Sequence, residues 1–324
     1  MIIDCHVHTS ACTPAHGSMS ERLLRSFSMR FARWRLGLGL GSTADAEVEC
    51  ALGDRLTAAV NGTPEIDAAV ILAFDAAHRP DGTRDDANTH LYVRNDYVIE
   101  LARNNPRYLF GASIHPYRRD AVEELERCVA AGAVLVKWLP LTQGFNPADD
   151  RCIPFYEALA HHNVPLLSHT GWEQALPTID KTVASPMLLE PALKRGVTVI
   201  AAHCSTRAMP WQQDFLPEFM DLARRYERMY GDTSALNLPS RSYAYAATLR
   251  DPDVRRKLVH GSDWPIIPLP PVTKIGIGGA FSLMGEHNWM RRDVLIKKRL
   301  DFDDAYWHRA GTILRVPPAV HTPA

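Results

Sequence analysis

Two histidines near the start of the chain, His6 and His8, are separated by a single residue. On a strand, residues i and i+2 point to the same side, so both imidazoles could face one ion. Four more residues suited to metal or proton chemistry follow along the chain, namely Lys137, His169, His203 and Asp263. Neutral imidazoles together with a carboxylate suit zinc, iron, manganese or nickel. Each residue alone is weak evidence, because a buried histidine often bonds a backbone carbonyl and aspartate is a favoured helix cap.

The elements that must position these residues are eight short apolar runs. Most of the runs are continuously apolar, as are strands that are buried on both faces of a parallel sheet. Between them lie segments with helical patterning, such as 120–131, 154–162 and 187–195. Eight strand–helix units predict an α/β fold of the (β/α)₈ TIM-barrel type, with a doubly wound open sheet as the alternative. The eight runs are 2–5, 68–74, 108–114, 133–138, 164–167, 197–202, 229–231 and 257–259.

Polar residues of the right type stand where several of these runs end. His6 and His8 stand at the end of the first run, and Lys137 stands at the end of the fourth. The fifth run is followed by His169, the sixth by His203 and the eighth by Asp263. Barrel enzymes place their active sites at the C-terminal ends of the strands. We therefore expect these side chains to meet at one end of the barrel, and this coincidence is more specific than any single residue.

We expect one domain over residues 1–324, with an insertion at about 10–64 after the first strand and a C-terminal extension after about 265. Within the insertion, the pattern of residues 19–36 predicts a single basic amphipathic helix. This helix is expected to end at the glycine-rich segment 37–42. We expect the arginines of this helix to lie on a face that contacts solvent or another protein. The alternative is that Arg25, Arg30 or Arg33 binds an anionic substrate. The segment 268–284 is rich in proline and glycine, which predicts an ordered loop.

Bulk composition excludes several classes of protein. The net charge of −1 offers no broad basic face for nucleic acid. No apolar run approaches the roughly 20 residues of a membrane span, and the N-terminus turns polar too soon for a signal peptide. The six cysteines have no regular spacing, which is typical of reduced thiols in a cytoplasmic protein. The expected partner is a small molecule, and a homo-oligomer stays open.

Together these motifs resemble the amidohydrolase superfamily. Within it, the chain is similar to the amidohydrolase 2 branch, which includes aminocarboxymuconate semialdehyde decarboxylase. The similarity covers about residues 1–265, and a late segment, 306–314, is similar to the family's closing helix. The motifs that carry it are His6-Val7-His8, Lys137, His169-Thr170-Gly171, His203 and Gly261-Ser262-Asp263-Trp264-Pro265, with Ile114-His115-Pro116 and Gly231-Asp232-Thr233-Ser234 in addition.

The resemblance implies a metal-dependent hydrolase. His6, His8, His169 and Asp263 would bind a divalent metal, zinc by preference, that activates a water molecule as the nucleophile. Asp263 would accept the proton of that water and transfer it to the leaving group. His203 would either bind a second metal or polarise the carbonyl of the substrate.

Lys137 separates two subtypes that the resemblance leaves open. As a carbamate formed with CO₂, Lys137 would bridge two metal ions. As an ammonium, it would pair with Asp263 or with a carboxylate of the substrate, and the site would hold one ion. The chain is more similar to the one-metal case.

Three further residues are expected to bind substrate. Trp172 and Glu173 follow His169-Thr170-Gly171 directly, so both would line the pocket. His115 could reach the mouth of the site, although its His-Pro context also suits a plain turn.

The first functional hypothesis is hydrolysis of a small, carboxylate-bearing ester, lactone or amide by metal-activated water. The second is metal-dependent, non-oxidative decarboxylation of an unsaturated or aromatic acid. The third is a catalytically silent metal-binding protein, which need not retain Asp263. A phosphoesterase barrel of the PHP type also carries an HxH motif, but its additional histidine and acidic ligands are not evident here.

Overall fold

The computed structural model describes residues 1–35, 37 and 46–316. Eight parallel strands form a nearly closed barrel, and their spatial order follows the chain order. Each of the eight predicted runs coincides with one of these strands, so the barrel is confirmed. The barrel strands are β1 Ile3–His8, β3 Ala68–Leu72, β5 Tyr108–Ala112, β6 Leu135–Trp138, β7 Leu166–Ser168, β8 Val199–Ala201, β9 Met229–Asp232 and β10 Leu258–Val259, while β2 Gly17–Met19 and β4 Leu91–Val93 form a separate antiparallel pair.

Backbone hydrogen bonds join the two ends of this sheet. The amide of Cys5 in β1 donates to the carbonyl of His260 at 3.1 Å, and the amide of His8 donates to the carbonyl of Trp264 at 3.0 Å. In the opposite direction, the amide of Asp263 donates to the carbonyl of His6 at 2.9 Å. An open, doubly wound sheet would leave these edges apart, so that alternative is wrong.

Alternate residues of each strand enter two different cores. In β3, Val70 and Leu72 belong to the cluster inside the barrel, whereas Ala69 and Ile71 belong to the cluster between the strands and the helices. Burial on both faces explains why the strands read as continuous apolar runs rather than as alternating ones.

Helices connect the strands and cover the barrel. The predicted helices at 120–131 and 154–162 are confirmed, and the segment 187–195 forms a 3₁₀ turn followed by a short helix. The helices are α1 Glu21–Leu24, α2 Phe27–Arg35, α3 Ala46–Asn61, α4 Asn95–Asn104, α5 Ala121–Ala130, α6 Pro140–Gln143, α7 Ile153–His161, α8 Glu190–Lys194, α9 Leu216–Arg225, α10 Ala244–Arg250, α11 Pro252–Arg255, α12 Val272–Met284, α13 Trp289–Lys298 and α14 Asp304–Ile313, with 3₁₀ helices at Asp150–Cys152, Pro186–Leu189 and Ala202–Ser205.

The segment between β1 and β3 contains β2, α1, α2 and α3. The expected single helix over 19–36 is wrong, because α1 ends at Leu24 and α2 begins at Phe27. Ser26 lies at the break, where its hydroxyl accepts a hydrogen bond from the amide of Met29 at 3.2 Å and starts the second helix. Leu36 and residues 38–42 of the expected glycine-rich helix end lie outside the described residues.

The segment after β10 is more helical than expected. The predicted loop over 268–284 is wrong, since α12 occupies most of it and bends at Gly276, whose φ is 73°. The similarity of 306–314 to a closing helix agrees with α14, which packs against β1 and β10. Residues 317–324 lie outside the described part of the chain. None of the helices in that described part combines the length and apolar character needed to cross a membrane.

Candidate metal centre

Side chains from the ends of β1 and β10 meet at one end of the barrel. The Nε2 atoms of His6 and His8 are 3.1 Å apart. Oδ1 of Asp263 lies 3.4 Å from Nε2 of His6 and 3.2 Å from Nε2 of His8. His6 is fully buried, Asp263 is nearly so, and the His8 side chain is about one-quarter exposed. The three groups therefore form a compact cluster that is open to solvent on the His8 side.

The distances within this cluster fit a bound metal ion. Two ligands that each lie about 2.1 Å from one ion are about 3.0–3.4 Å from each other at bond angles of 90–109°. The separations among His6, His8 and Asp263 lie in this range. Nε2 of His169 is buried and has no hydrogen-bond partner among the described residues, which is costly for a polar atom unless a ligand binds there. The donor set therefore suits a divalent transition metal.

Asp232 at the end of β9 orients His6 from behind. Its Oδ2 accepts a hydrogen bond from Nδ1 of His6 at 2.7 Å. With the proton on Nδ1, Nε2 presents a lone pair to the cluster, as a metal-binding imidazole requires. Burial alone would raise the pKa of Asp232, but His6 and the hydroxyl of Ser234 hold it well below its usual range. Asp232 belongs to the motif Gly231-Asp232-Thr233-Ser234, and its position at a strand end is the sequence signal that points to this role.

His203 faces Asp263 from the end of β8. Its Nδ1 lies 3.0 Å from the carbonyl oxygen of Ser234, which can only accept, so Nδ1 carries the proton. Nε2 then presents a lone pair 3.9 Å from Oδ2 of Asp263. Burial lowers the pKa of His203 well below its ordinary value, which keeps the ring neutral. A neutral ring in this tautomer can accept a proton but cannot donate one to a substrate.

A second cluster of possible ligands consists of His6, His203 and Asp232. Its centre is occupied by the hydroxyl of Ser234, which lies 3.0 Å from Nδ1 of His6 and 2.8 Å from Nδ1 of His203. This hydroxyl also donates to Oδ1 of Asp232. The second cluster is therefore a hydrogen-bond network that supports the first.

The loop that carries Asp263 is held in an unusual conformation. Asp263 has a φ of 64°, a left-handed value that is rare outside glycine and that recurs at functional sites. Gly261 passes so close to β1 that a Cβ there would lie 2.9 Å from Cβ of His6. The carboxylate of Asp4 accepts from the amides of His6 at 3.2 Å and Ser262 at 2.9 Å. Burial would raise the pKa of Asp263, but the imidazoles of His203 and His6 hold it well below its usual range.

Lys137 lies fully buried beneath the cluster. Its Nζ is 3.1 Å from Nε2 of His6. Burial lowers the pKa of Lys137 to about 8, against the opposing effect of Asp232 and Asp263. An amine with this pKa is partly neutral at physiological pH, so both the carbamate and the ammonium remain chemically accessible.

The three expected substrate-binding residues are placed differently from one another. Glu173 lies 3.6 Å from Nδ1 of His169 and caps the turn at Ala175, so it borders the cluster. The indole of Trp172 donates to the carbonyl of Gln213, in the segment before α9, at 2.9 Å.

His115 is fully buried. Its Nε2 donates to the carbonyl of Gln143 at 3.1 Å and its Nδ1 accepts from the amide of Tyr117. Both ring nitrogens thereby have backbone partners, and substrate binding by His115 stays a prediction. These contacts also fit the plain-turn interpretation of its His-Pro context.

Arg241, which sequence analysis missed, brings a buried positive charge to the same end of the barrel. Its guanidinium donates to the carbonyl and hydroxyl of Thr206 at 3.0 and 2.8 Å and to the carbonyl of Trp172 at 3.1 Å. Among the described residues these contacts use three of its five N–H groups. Burial lowers the pKa of Arg241, while Asp263 and Glu173 act in the opposite direction. Nothing in its local sequence distinguishes it from an exposed loop arginine.

The chain is similar in sequence to one protein family and in fold to several solved structures. The amidohydrolase family profile matches residues 3–281. No curated protein matches the chain significantly. Solved structures with a similar fold include an uncharacterised TIM-barrel protein from Bordetella bronchiseptica, with 17% identity, a TM-score of 0.61 and 96% of both chains covered.

Two further solved structures carry functional names. One is a probable 2-pyrone-4,6-dicarboxylic acid hydrolase from Acinetobacter baumannii with bound citric acid, at 15% identity and a TM-score of 0.58, covering 97% of this chain and 98% of that one. The other is 5-carboxyvanillate decarboxylase from Sphingomonas paucimobilis, at 15% identity and a TM-score of 0.55, covering 98% and 99%. At such identities these likenesses establish the fold.

Proposed function

The chain belongs to the amidohydrolase family, and from this premise we propose that it is a metal-dependent hydrolase acting on a small, carboxylate-bearing ester, lactone or amide. The single observation that carries the proposal is the convergence of His6, His8 and Asp263 at ligand-to-ligand distances, beside the unpartnered Nε2 of His169. We propose a divalent metal held by these four residues, with zinc preferred. The cytoplasm is the proposed location, in line with six cysteines that form no disulfide among the described residues.

When bound, the metal lowers the pKa of a coordinated water and polarises a substrate carbonyl. Asp263 presents Oδ1 to the two histidines of β1 and leaves Oδ2 facing His203. A water between Oδ2 and Nε2 of His203 can donate one hydrogen to each atom, which directs its lone pair at the substrate. Asp263 then accepts a proton as the new bond forms and transfers it to the leaving group. We assign His203 to orientation of this water, because its neutral ring presents an acceptor.

An anionic substrate is supported by the charges around the site. Arg241 keeps two N–H groups beyond its three contacts with described residues, and a guanidinium binds a carboxylate in two-point geometry. Trp172 presents its carbonyl to the same guanidinium. The likeness to a probable 2-pyrone-4,6-dicarboxylic acid hydrolase agrees with a substrate that carries carboxylates.

Non-oxidative decarboxylation is the second candidate. The fold is also similar to that of 5-carboxyvanillate decarboxylase and of 2,6-dihydroxybenzoate decarboxylase complexed with 2,6-dihydroxybenzoate. The buried Arg241 would serve an acid of that kind equally well, since it carries a carboxylate. The two candidates differ in product: hydrolysis consumes water and releases acid, and decarboxylation releases CO₂.

The experiment exposes metal-loaded protein to a panel of lactones, esters and amides with a free carboxylate and to aromatic acids. A pH indicator follows acid release and a CO₂ assay follows decarboxylation. We expect acid release without CO₂. In Asp263→Asn we expect the metal to be largely retained and the rate to fall by about 10²–10⁴-fold, as for loss of a general base.

Arg241→Met supplies the matched test of substrate charge. It should raise KM for carboxylate-bearing substrates and leave an uncharged ester of the same leaving group unaffected. CO₂ release would assign the second candidate. Near-parental turnover in Asp263→Asn would show that Asp263 only caps the loop, and inactivity of the metal-loaded parent on the whole panel would favour a silent metal-binding protein.

A further inference from the structure

Three aromatic side chains form one exposed patch on α2. Phe27, Phe31 and Trp34 are 86%, 42% and 56% exposed. Their spacing of four and three residues places them on one face of the helix. The ring centroids of Phe27 and Phe31 are 6.1 Å apart, and those of Phe31 and Trp34 are 5.9 Å apart. The three rings are therefore direct neighbours along the helix, and we call them the aromatic face.

The aromatic face is large for a surface that meets only water. Aromatic side chains bury about 150–250 Å² each, so the exposed fractions of these three amount to roughly 400 Å². The largest apolar patch on a monomeric protein typically covers about 300–600 Å² and often has a function. The size of the aromatic face is therefore that of a binding surface.

The chain around the aromatic face is basic. Residues 21–35 contain five arginines and a single acidic residue, Glu21. Among these arginines, the side chains of Arg22, Arg25 and Arg30 are exposed. Arg25 pairs with Glu21 at 3.0 Å, and since both side chains are more than two-thirds exposed, this pair is weak. Arg22 and Arg30 form no ion pair with the other described residues, so their charges are available to a partner.

Arg30 stands beside the aromatic face. It lies three residues after Phe27 and four residues before Trp34, the spacings at which side chains on a helix are neighbours. An arginine in this position can bind a phosphate or carboxylate while the rings next to it enter an apolar layer. Aromatic rings on one face with arginines beside them are typical of a helix that lies in the surface of an anionic membrane.

Charge favours a lipid surface over a second copy of the chain. In a twofold dimer the same patch meets itself, so the arginines of one copy would lie against those of the other. An anionic surface instead attracts every arginine of the segment. Because the whole chain has a net charge of −1, the excess of arginine is offset elsewhere, and this attraction is confined to the segment. We propose that α1 and α2 bind an anionic lipid surface, with the aromatic face between headgroups and acyl chains and the exposed arginines on the headgroups.

Co-sedimentation with phosphatidylcholine vesicles, with and without phosphatidylserine, tests the proposal. The parent should bind vesicles that contain phosphatidylserine, bind phosphatidylcholine alone at least about 10-fold more weakly, and dissociate as the salt concentration rises. Arg30→Gln should weaken binding about fivefold, the contribution of one arginine near an anionic surface. The double variant Phe27→Ser/Phe31→Ser should weaken binding at least about 10-fold, since it removes two rings from the apolar layer.

Two control variants carry the same kinds of substitution elsewhere. Trp211→Ser removes an aromatic ring that is 80% exposed, and Arg103→Gln removes an exposed arginine of α4. Both should bind vesicles as the parent does. Circular dichroism establishes that all the variants are folded; the replaced side chains are exposed, so little destabilisation is expected.

A parent that does not bind phosphatidylserine vesicles at low salt overturns the proposal. Binding that persists in Phe27→Ser/Phe31→Ser, or that Trp211→Ser weakens equally, also overturns it. Sedimentation velocity without lipid checks the other occupant. A parental dimer that dissociates in Phe27→Ser/Phe31→Ser would assign the aromatic face to a second copy and refute the lipid assignment.

Discussion

Replacing Asp232 with asparagine removes one acceptor from a carboxylate that is fully occupied. Its Oδ1 accepts from the amides of His203 at 2.8 Å and Ser234 at 3.0 Å and from the hydroxyl of Ser234, while Oδ2 accepts from Nδ1 of His6 at 2.7 Å. Asparagine has the same size as aspartate, but an NH₂ group, which donates hydrogen bonds, replaces one of the two accepting oxygens. With the oxygen kept on the side of the two amides, the NH₂ group faces Nδ1 of His6.

That contact holds only if Nδ1 gives up its proton. The proton of His6 then moves to Nε2, the atom that faces His8 and Asp263 and is proposed to bind the metal. Loss of a carboxylate that orients a metal-binding histidine typically costs 10–100-fold in metal affinity. Because Asp232 is fully buried and no solvent can replace it, we expect the upper end of this range, about 100-fold or 2.7 kcal/mol.

The measurement is a Zn²⁺ titration of chelator-treated protein in competition with a chromophoric chelator, which requires no substrate. Ser234→Ala is the matched control: it removes a neutral hydroxyl from the same network and leaves the carboxylate, so its affinity should stay within about 10-fold of the parent. Circular dichroism confirms folding. A folded Asp232→Asn protein that binds Zn²⁺ within threefold of the parent would refute the tautomer argument.

Two further predictions concern Lys137 and His115. The metal-replete parent should contain one ion per chain by mass spectrometry, and Lys137→Met should not change that number; two ions that fall to one would establish a bridging carbamate. Burial lowers the pKa of His115 from 6.5 to about 3, so the folded protein favours the neutral ring. The free energy of unfolding is therefore undiminished above pH 6.5, where the ring is neutral in both states. It decreases as the pH falls from 6.5 towards 3, because the unfolded chain binds a proton at His115 that the folded protein does not. Between pH 8 and pH 5 the parent should lose about 2 kcal/mol more in urea unfolding than His115→Gln, whose amide can keep both backbone contacts; equal losses in the two proteins would contradict this assignment.

The barrel was predictable because its signal is local. A strand buried on both faces must be apolar at every position, as Ala68–Leu72 is, and this can be recognised without knowing its partners. The placement of His6, His8 and Asp263 near one another follows from the same premise, since the ends of parallel strands meet at one end of a barrel. Nothing more than strand-end position was needed for that expectation.

What could not be predicted depends on partners that are distant in sequence. His115 bonds the carbonyl of Gln143, and Asp232 bonds His6 from 226 residues away. Arg241 is buried only because Thr206 and Trp172 accept its hydrogen bonds.

The prediction of a loop over residues 268–284 was wrong for another reason. Glycine and proline there indicated a loop, yet α12 forms where packing against α13 outweighs the low helix propensity of its glycines. Propensity is a weak guide once tertiary contacts are available.

The C-terminal extension also bears on the site, through Lys297 of α13. Its ammonium is fully buried and donates to the carbonyl of Gly261 at 2.7 Å and to Asp293 at 2.6 Å. Asp293 in turn accepts from the side-chain Nδ2 of Asn237, which follows β9, at 2.7 Å. A buried ion pair is costly unless all its hydrogen bonds are satisfied, so removal of either partner would release the loop that it holds. The left-handed backbone of Asp263 persists because β1 and α13 fix this loop from two sides, and the carboxylate is therefore oriented before any metal binds.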